Sequence, residues 1–117
     1  MAISTISKLS LETTSTISQI ATAASGCTIG EANFARWGNL AYLRLVVKSS
    51  TAIADGASKT VATVVAEKKP NNVTYGISNN NYPTNKATVY ASSGEVTITG
   101  PINANTNIGF TFMYLLS

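Results

Sequence analysis

The stretch that decides the fold of this chain is Asn107-Ile108-Gly109-Phe110-Thr111-Phe112-Met113-Tyr114-Leu115-Leu116-Ser117. Side chains alternate between the two faces of a β-strand. One face of this strand therefore carries only apolar and aromatic side chains, namely Ile108, Phe110, Phe112, Tyr114 and Leu116. We predict that this face lines the core of an all-β domain.

The opposite face of the same strand begins small and polar and then becomes apolar at Met113 and Leu115. A half-buried antiparallel strand is normally polar on its outer face. We therefore predict that this second face is covered, either by the same chain or by a neighbouring subunit. Tyr42, on the outer face of the strongest strand in the first half of the chain, joins them as a candidate oligomer-interface residue.

The composition fits one β-rich domain. The chain has 117 residues, of which 44% are hydrophobic and 11% are charged, against an average charged share of about 25%. Ser, Thr and Asn make up about a third of the residues, and these residue types favour strands and turns over helices. One core of ordinary size is expected at this length.

The charged and metal-binding residue types argue against several classes of function. The net charge is +3, but only Lys68 and Lys69 are adjacent, and a nucleic-acid site needs a clustered basic footprint. Histidine is absent and Cys27 is the single cysteine, so the sequence offers neither a His or Cys metal pair nor a Ser-His-Asp triad. We expect no nucleic-acid partner, no metal and no cofactor.

The acidic residues do not suggest an enzyme. A glycosidase needs two carboxylates that face each other across a sugar. The five carboxylates here all lie beside turns, on polar strand faces or in the N-terminal segment: Glu12, Glu31, Asp55, Glu67 and Glu95. We expect no catalytic residues, and a glycan depolymerase is the weakest of the alternatives.

No apolar run approaches the roughly 20 residues of a membrane span, and no secretion signal is recognisable, so we expect a protein made in a cytoplasm without membrane insertion.

The order of strand and turn signals predicts two parts. Residues 1–14 are rich in Ser and Thr and are expected to form an N-terminal arm or stalk remnant, as one helical turn, a trimeric stalk or an extended segment. Residues 15–117 are expected to form an antiparallel, jelly-roll-like β-sandwich of about eight strands. Ser15–Ala23, Lys59–Glu67 and an uninterrupted alternation over Cys27–Trp37 are among the predicted strands.

Two turns in this pattern are specific. Gly38 and Asn39 tolerate positive φ and predict a tight turn after Trp37. Ser93-Gly94 predicts a hairpin in which Val96 and Ile98 face inward.

Candidate ligand-binding residues are the aromatic side chains near turns and the amides between them. Tyr and Trp often anchor interfaces, and amides both donate and accept hydrogen bonds, as sugar hydroxyls require. The alternative is that these are ordinary turn asparagines and packing aromatics. The candidates are Trp37, Tyr75, Asn79, Asn80, Asn81, Tyr82 and Asn85.

From about Ala35 to its end, the chain resembles the C-terminal receptor-binding head domains of tailed-bacteriophage tail-fibre and baseplate proteins. The matching pieces are Arg36-Trp37-Gly38-Asn39, Ser58-Lys59-Thr60-Val61, Pro70, Ser92-Ser93-Gly94-Glu95-Val96-Thr97-Ile98, Asn105-Thr106-Asn107 and Phe110-Thr111-Phe112-Met113-Tyr114-Leu115. The run Val64-Val65-Ala66-Glu67-Lys68-Lys69-Pro70 departs from the pattern and keeps only its proline.

The resemblance implies a homotrimer in the virion, at the phage tail, that adsorbs to a bacterial cell-surface glycan or protein and is joined to an upstream fibre or baseplate component. It carries over no binding residues, because the recognition loops of such domains vary freely. The alternative is a non-enzymatic structural phage module, such as a capsid decoration, a fibre cap or a trimerisation domain.

Overall fold

The computed structural model describes residues 11–78 and 85–116. Nine strands account for most of these residues: β1 (Leu11–Thr14), β2 (Ala21–Ala23), β3 (Cys27–Trp37), β4 (Leu40–Ser49), β5 (Ser58–Val64), β6 (Thr74–Ser78), β7 (Ala87–Val89), β8 (Glu95–Thr99) and β9 (Asn107–Leu115). A single-turn helix, α1 (Ile17–Ile20), and a 3-10 turn at Ala66–Lys68 complete the described elements. The predicted all-β class is confirmed.

The strands form one antiparallel sheet in the order β1-β3-β4-β9-β6-β7-β8-β5-β2. This sheet curls into a half-barrel, compatible with the predicted sandwich-like fold. Strand β6 connects its two halves, because Ile77 and Ser78 pair with β9 while Thr74, Tyr75 and Gly76 pair with β7. The curl gives the sheet an inner face around the core and an outer face toward solvent.

The core is built on the pairing of β4 with β9. Leu43, Leu45 and Val47 lie opposite Phe112, Phe110 and Ile108, and full burial of such side chains contributes about 2–3 kcal/mol each. The predicted inner faces of β9 and β8 are confirmed. The buried apolar residues of these two strands are Val96, Ile98, Ile108, Phe110, Phe112 and Tyr114, followed by Leu116.

The predicted turn between β3 and β4 is also confirmed. Gly38 has φ +62, and the two-residue turn pairs Trp37 directly with Leu40. The Arg36 guanidinium donates to the Gly38 carbonyl oxygen from Nε at 3.1 Å and from Nη2 at 3.0 Å. This side chain therefore holds the end of the hairpin.

The predicted uninterrupted alternation along β3 is wrong, because the register shifts between Ile29 and Glu31. The shift is a β-bulge, which moves the inward-facing set by one residue. Cys27 and Ile29 pack against the core before it, whereas Ala32 and Phe34 do so after it.

Two predicted strands are shorter than the sequence suggested. Within Ser15–Ala23, the first part forms α1, because a helical turn carries Ile17 and the fully buried Ile20 against the core. Strand β5 ends at Val64, before the 3-10 turn. In the N-terminal segment, β1 pairs with β3 as an edge strand, and residues 1–10 lie outside the described residues.

Candidate functional site

The outer face of β1, β3, β4 and β9 carries a continuous row of apolar side chains. Leu11 pairs with Trp37, Trp37 with Leu40, and Leu40 with Leu115. All four side chains are exposed. The row therefore runs across four strands without a polar interruption.

A second row lies beside the first. It consists of Thr13, Ala35, Tyr42 and Met113, again joined by cross-strand pairing. We call the six large side chains of both rows the apolar half of the outer face: Leu11, Trp37, Leu40, Tyr42, Met113 and Leu115. A groove of about 180 Å³ runs between several of them.

The exposed area of the apolar half is large for so small a domain. Leu11 is 67% exposed, Met113 61%, Leu115 54%, Trp37 52% and Leu40 44%. Applied to side-chain surfaces of roughly 200 Å² each, these fractions give an exposed apolar area on the order of 500 Å². The largest apolar patch of a typical monomer covers about 300–600 Å² and is often functional. No residue in the ranges 11–78 and 85–116 covers these side chains.

The other end of the outer face is polar. Arg44 Nη1 lies 2.9 Å from Glu31 Oε2, and Asn33 Nδ2 donates to Glu31 Oε1 at 2.8 Å. Lys48 follows on β4, between Thr28 and Asn107. An ion pair this exposed adds little stability, and the second carboxylate oxygen of Glu31 accepts the hydrogen bond from Asn33. We call this region the polar half.

A small charged cavity lies at the edge of the inner face. It has a volume of about 130 Å³ and is lined by two acids and two bases around Phe34, namely Glu12, Arg36, Glu67 and Lys68. The Lys68 ammonium lies 5.5 Å from the centre of the Phe34 ring. Ligand pockets usually begin at roughly 300 Å³, so this cavity is too small for a sugar ring held between two carboxylates.

Tyr114 connects β9 to this edge. Its hydroxyl donates to the Lys68 carbonyl oxygen at 2.6 Å. Burial raises the pKa of the Tyr114 phenol well above its usual range, because the charged form would lose its hydration. The phenol therefore stays neutral and serves as a hydrogen-bond donor.

The structure brings the three predicted interface residues together. Tyr42 pairs directly with Met113, and Leu115 lies two residues further along the same face of β9. Trp37, predicted as a ligand-binding residue, lies in the same apolar half. Leu11 and Leu40 were missed by sequence reasoning, although the two-residue turn at Gly38-Asn39 could have placed Leu40 opposite Trp37.

The other predicted ligand-binding residues are not among these six side chains. Tyr75 is 72% exposed on β6, two residues before Ile77, which pairs with Thr111 of β9. Asn85 is 5% exposed, and its Nδ2 donates to the carbonyl oxygens of Thr99 and Pro101 at 2.8 and 3.2 Å. These contacts give Asn85 a structural role, which differs from the ligand-binding role predicted for it. Asn79, Asn80, Asn81 and Tyr82 lie outside the described residues.

Comparison with known proteins adds no assignment, since neither a protein-family model nor a curated protein matches this chain. Across residues 11–78 and 85–116, no three His, Cys, Asp or Glu side chains are grouped as metal ligands would be. Within the same ranges, neither helical element has the length and hydropathy of a bilayer span.

Proposed function

We propose that this chain is a non-enzymatic, homotrimeric head domain of a phage tail-fibre or baseplate protein. It adsorbs to a glycan or protein on the bacterial cell surface and is attached to an upstream component of the virion. The observation that carries the proposal is the apolar half of the outer face, which no described residue covers.

The apolar half has the size and chemistry of the centre of a protein interface. A standard interface buries about 800 Å² on each partner, with an apolar centre and a polar rim. Trp37 supplies the aromatic anchor that such centres favour. Tyr42 lies at the rim, in the second row next to the polar half that contains Glu31 and Arg44. Homo-oligomers usually close by rotational symmetry, and the resemblance to phage head domains favours three copies.

Assembly into a trimer is also compatible with adsorption through several binding sites that are weak individually. Joining identical binding sites raises their apparent affinity by about a hundredfold or more without any new contact. A trimer with weak individual sites would therefore hold to a cell surface on which its receptor is repeated. The low share of charged residues and the many hydroxyl and amide side chains suit contacts with sugars.

The test is a pair of charge substitutions in the apolar half. We expect Met113→Glu with Leu115→Glu to give a folded chain of 12.2 kDa, because burying these carboxylates between subunits costs several kcal/mol each. Its apparent affinity for bacterial cells should fall about a hundredfold. Light scattering and binding of labelled protein to a panel of intact bacteria give the two readouts.

The matched control is Thr22→Glu with Thr28→Glu, which adds the same charge at two exposed strand positions outside the apolar half. This variant should keep the mass and the cell binding of the unmodified protein. If the double substitution in the apolar half leaves the oligomer mass unchanged, the proposed interface is wrong. A trimer that adsorbs to no bacterium of the panel would contradict the receptor-binding role and favour the structural phage module.

A further inference from the structure

A second, hydroxyl-rich depression lies beside the apolar half. Residues 13–16 form one wall as the chain leaves β1 and enters α1, and Asn33 and Tyr42 contribute from the outer face of β3 and β4. Its volume of about 530 Å³ falls within the range of roughly 300–1,000 Å³ that is typical of small-molecule sites. We call this depression the hydroxyl cleft.

The polar groups of the hydroxyl cleft are largely unused by the fold. Among the described residues, the side-chain hydroxyls of Thr13, Ser15 and Thr16 have no hydrogen-bond partner. Thr16 stands at the N-cap position of α1, but its side chain makes no capping bond. Three neighbouring hydroxyls are therefore available to a ligand that can both donate and accept hydrogen bonds.

On the opposite wall, the amide is hydrogen-bonded and the charges are paired. Asn33 is oriented by its bond to Glu31, and Glu31 is neutralised by Arg44 at 2.9 Å. The half-buried Tyr42 adds an aromatic ring and a phenol hydroxyl at the boundary with the apolar half. An aromatic surface next to hydroxyls and an amide, without unpaired charge, matches a sugar ring better than an anion or a cation.

We propose that the hydroxyl cleft binds a neutral saccharide unit of the bacterial surface glycan. Tyr42 would pack against C–H groups of the sugar ring, while Asn33, Ser15 and Thr16 bond its hydroxyls. This inference rests on the proposed adsorption function. It assigns the ligand to the hydroxyl cleft, whereas the sequence analysis proposed aromatic and amide side chains near turns. Threefold assembly would join three such sites in one particle, as avidity requires.

The experiment uses the full chain labelled with ¹⁵N and neutral sugars as probes: glucose, galactose, rhamnose and N-acetylglucosamine. Each sugar is added up to about 10 mM, a concentration at which a site of millimolar Kd is largely occupied. We expect the NMR chemical shifts of the backbone amides to change at residues 13–16, at Asn33 and at Tyr42. Asn33→Ala and Thr16→Val should each weaken binding about tenfold, as loss of one hydrogen bond in a small site does. Thr22→Val, at an exposed threonine of β2 outside the cleft, should leave binding unchanged.

The inference and the proposed function fail in different ways. If no sugar shifts the amides of the cleft, or if the shifts concentrate around Tyr75 instead, the inference is overturned even when the protein adsorbs to cells. Equal losses in Thr22→Val and Thr16→Val would also overturn it. If the unmodified protein adsorbs to no bacterium and binds no sugar, both the inference and the proposed function fail.

Discussion

Gly76 is a position at which one added methyl group should disturb the packing of a large core side chain. It lies on β6, where the strand crosses from one half of the sheet to the other, and it faces the ring of Phe112. A Cβ atom on residue 76 would lie 2.6 Å from Cε1 of that ring and 2.9 Å from Cδ1 and Cζ. The shortest of these distances is about 0.8 Å below an ordinary contact of 3.4 Å.

The magnitude of the effect follows from how little the ring can move. Phe112 is 1% exposed and lies opposite Leu43 in the core, so displacing it disturbs several packed neighbours. Overpacking of this kind costs about 1–3 kcal/mol, and alanine regains about 0.5–1 kcal/mol over glycine in a strand. We expect Gly76→Ala to lower the free energy of unfolding by about 1–1.5 kcal/mol and the Tm by roughly 4–6 °C.

The assay is urea unfolding followed by circular dichroism at one fixed protein concentration, because assembly makes stability depend on concentration. The control is Gly30→Ala on β3, where the nearest atom to an added Cβ is the Val46 carbonyl oxygen at 4.0 Å. With no such clash, that variant should be at least as stable as the unmodified protein and up to about 1 kcal/mol more stable.

A second pair of variants, made in a protein that lacks the Phe112 ring, separates the contact between residue 76 and Phe112 from other effects of the substitution. In a Phe112→Leu variant, Gly76→Ala should cost less than about 0.5 kcal/mol, because the ring edge that the methyl group meets is gone. An equal cost of Gly76→Ala in both backgrounds would refute the reasoning. So would a Gly76→Ala protein as stable as the Gly30→Ala control.

Two further predictions concern buried polar groups. Because the pKa of the Tyr114 phenol is raised in the folded state, the phenol of the unfolded chain loses its proton first, and the free energy of unfolding should fall above about pH 10 by up to about 1.4 kcal/mol per pH unit. In urea unfolding experiments, Tyr114→Phe should be about 1 kcal/mol less stable at pH 8 and should lose less stability per pH unit above pH 10. Identical alkaline slopes for the two proteins would contradict this account. Asn85→Ala removes both bonds to the Thr99 and Pro101 carbonyls and should cost about 1–3 kcal/mol, whereas Asn72→Ala, at an exposed position, should change unfolding by less than about 0.5 kcal/mol.

The inner face of the sheet was predictable because its apolar residues recur with a strict period of two. In β9, β4 and β8, apolar side chains recur at every second position, and burial follows that period in the structure. The bulge in β3 was not predictable from the same signal. The apolar period changes phase between Ile29 and Glu31, and a glycine within a strand does not by itself indicate an extra residue. Helix α1 was missed for a related reason, since one helical turn is shorter than the window in which a helical period can be recognised.

The candidate site was predicted in part. Met113 and Leu115 stood out because an apolar side chain on the outer face of a strand needs a covering partner. Their neighbours Leu11 and Leu40 did not stand out, because an isolated exposed leucine is common and only the register places these side chains in one row. The hydroxyl cleft depends on the packing of residues 13–16 beside β3, which sequence periodicity does not describe.

The most direct test of the central claim is the solution mass of the unmodified protein, measured by light scattering at several concentrations. Three chains of 12.2 kDa give 36.6 kDa, and this mass is the predicted result. A stable mass of 12.2 kDa at all concentrations would mean that the apolar half is not a contact between copies of this chain, and it would contradict the account.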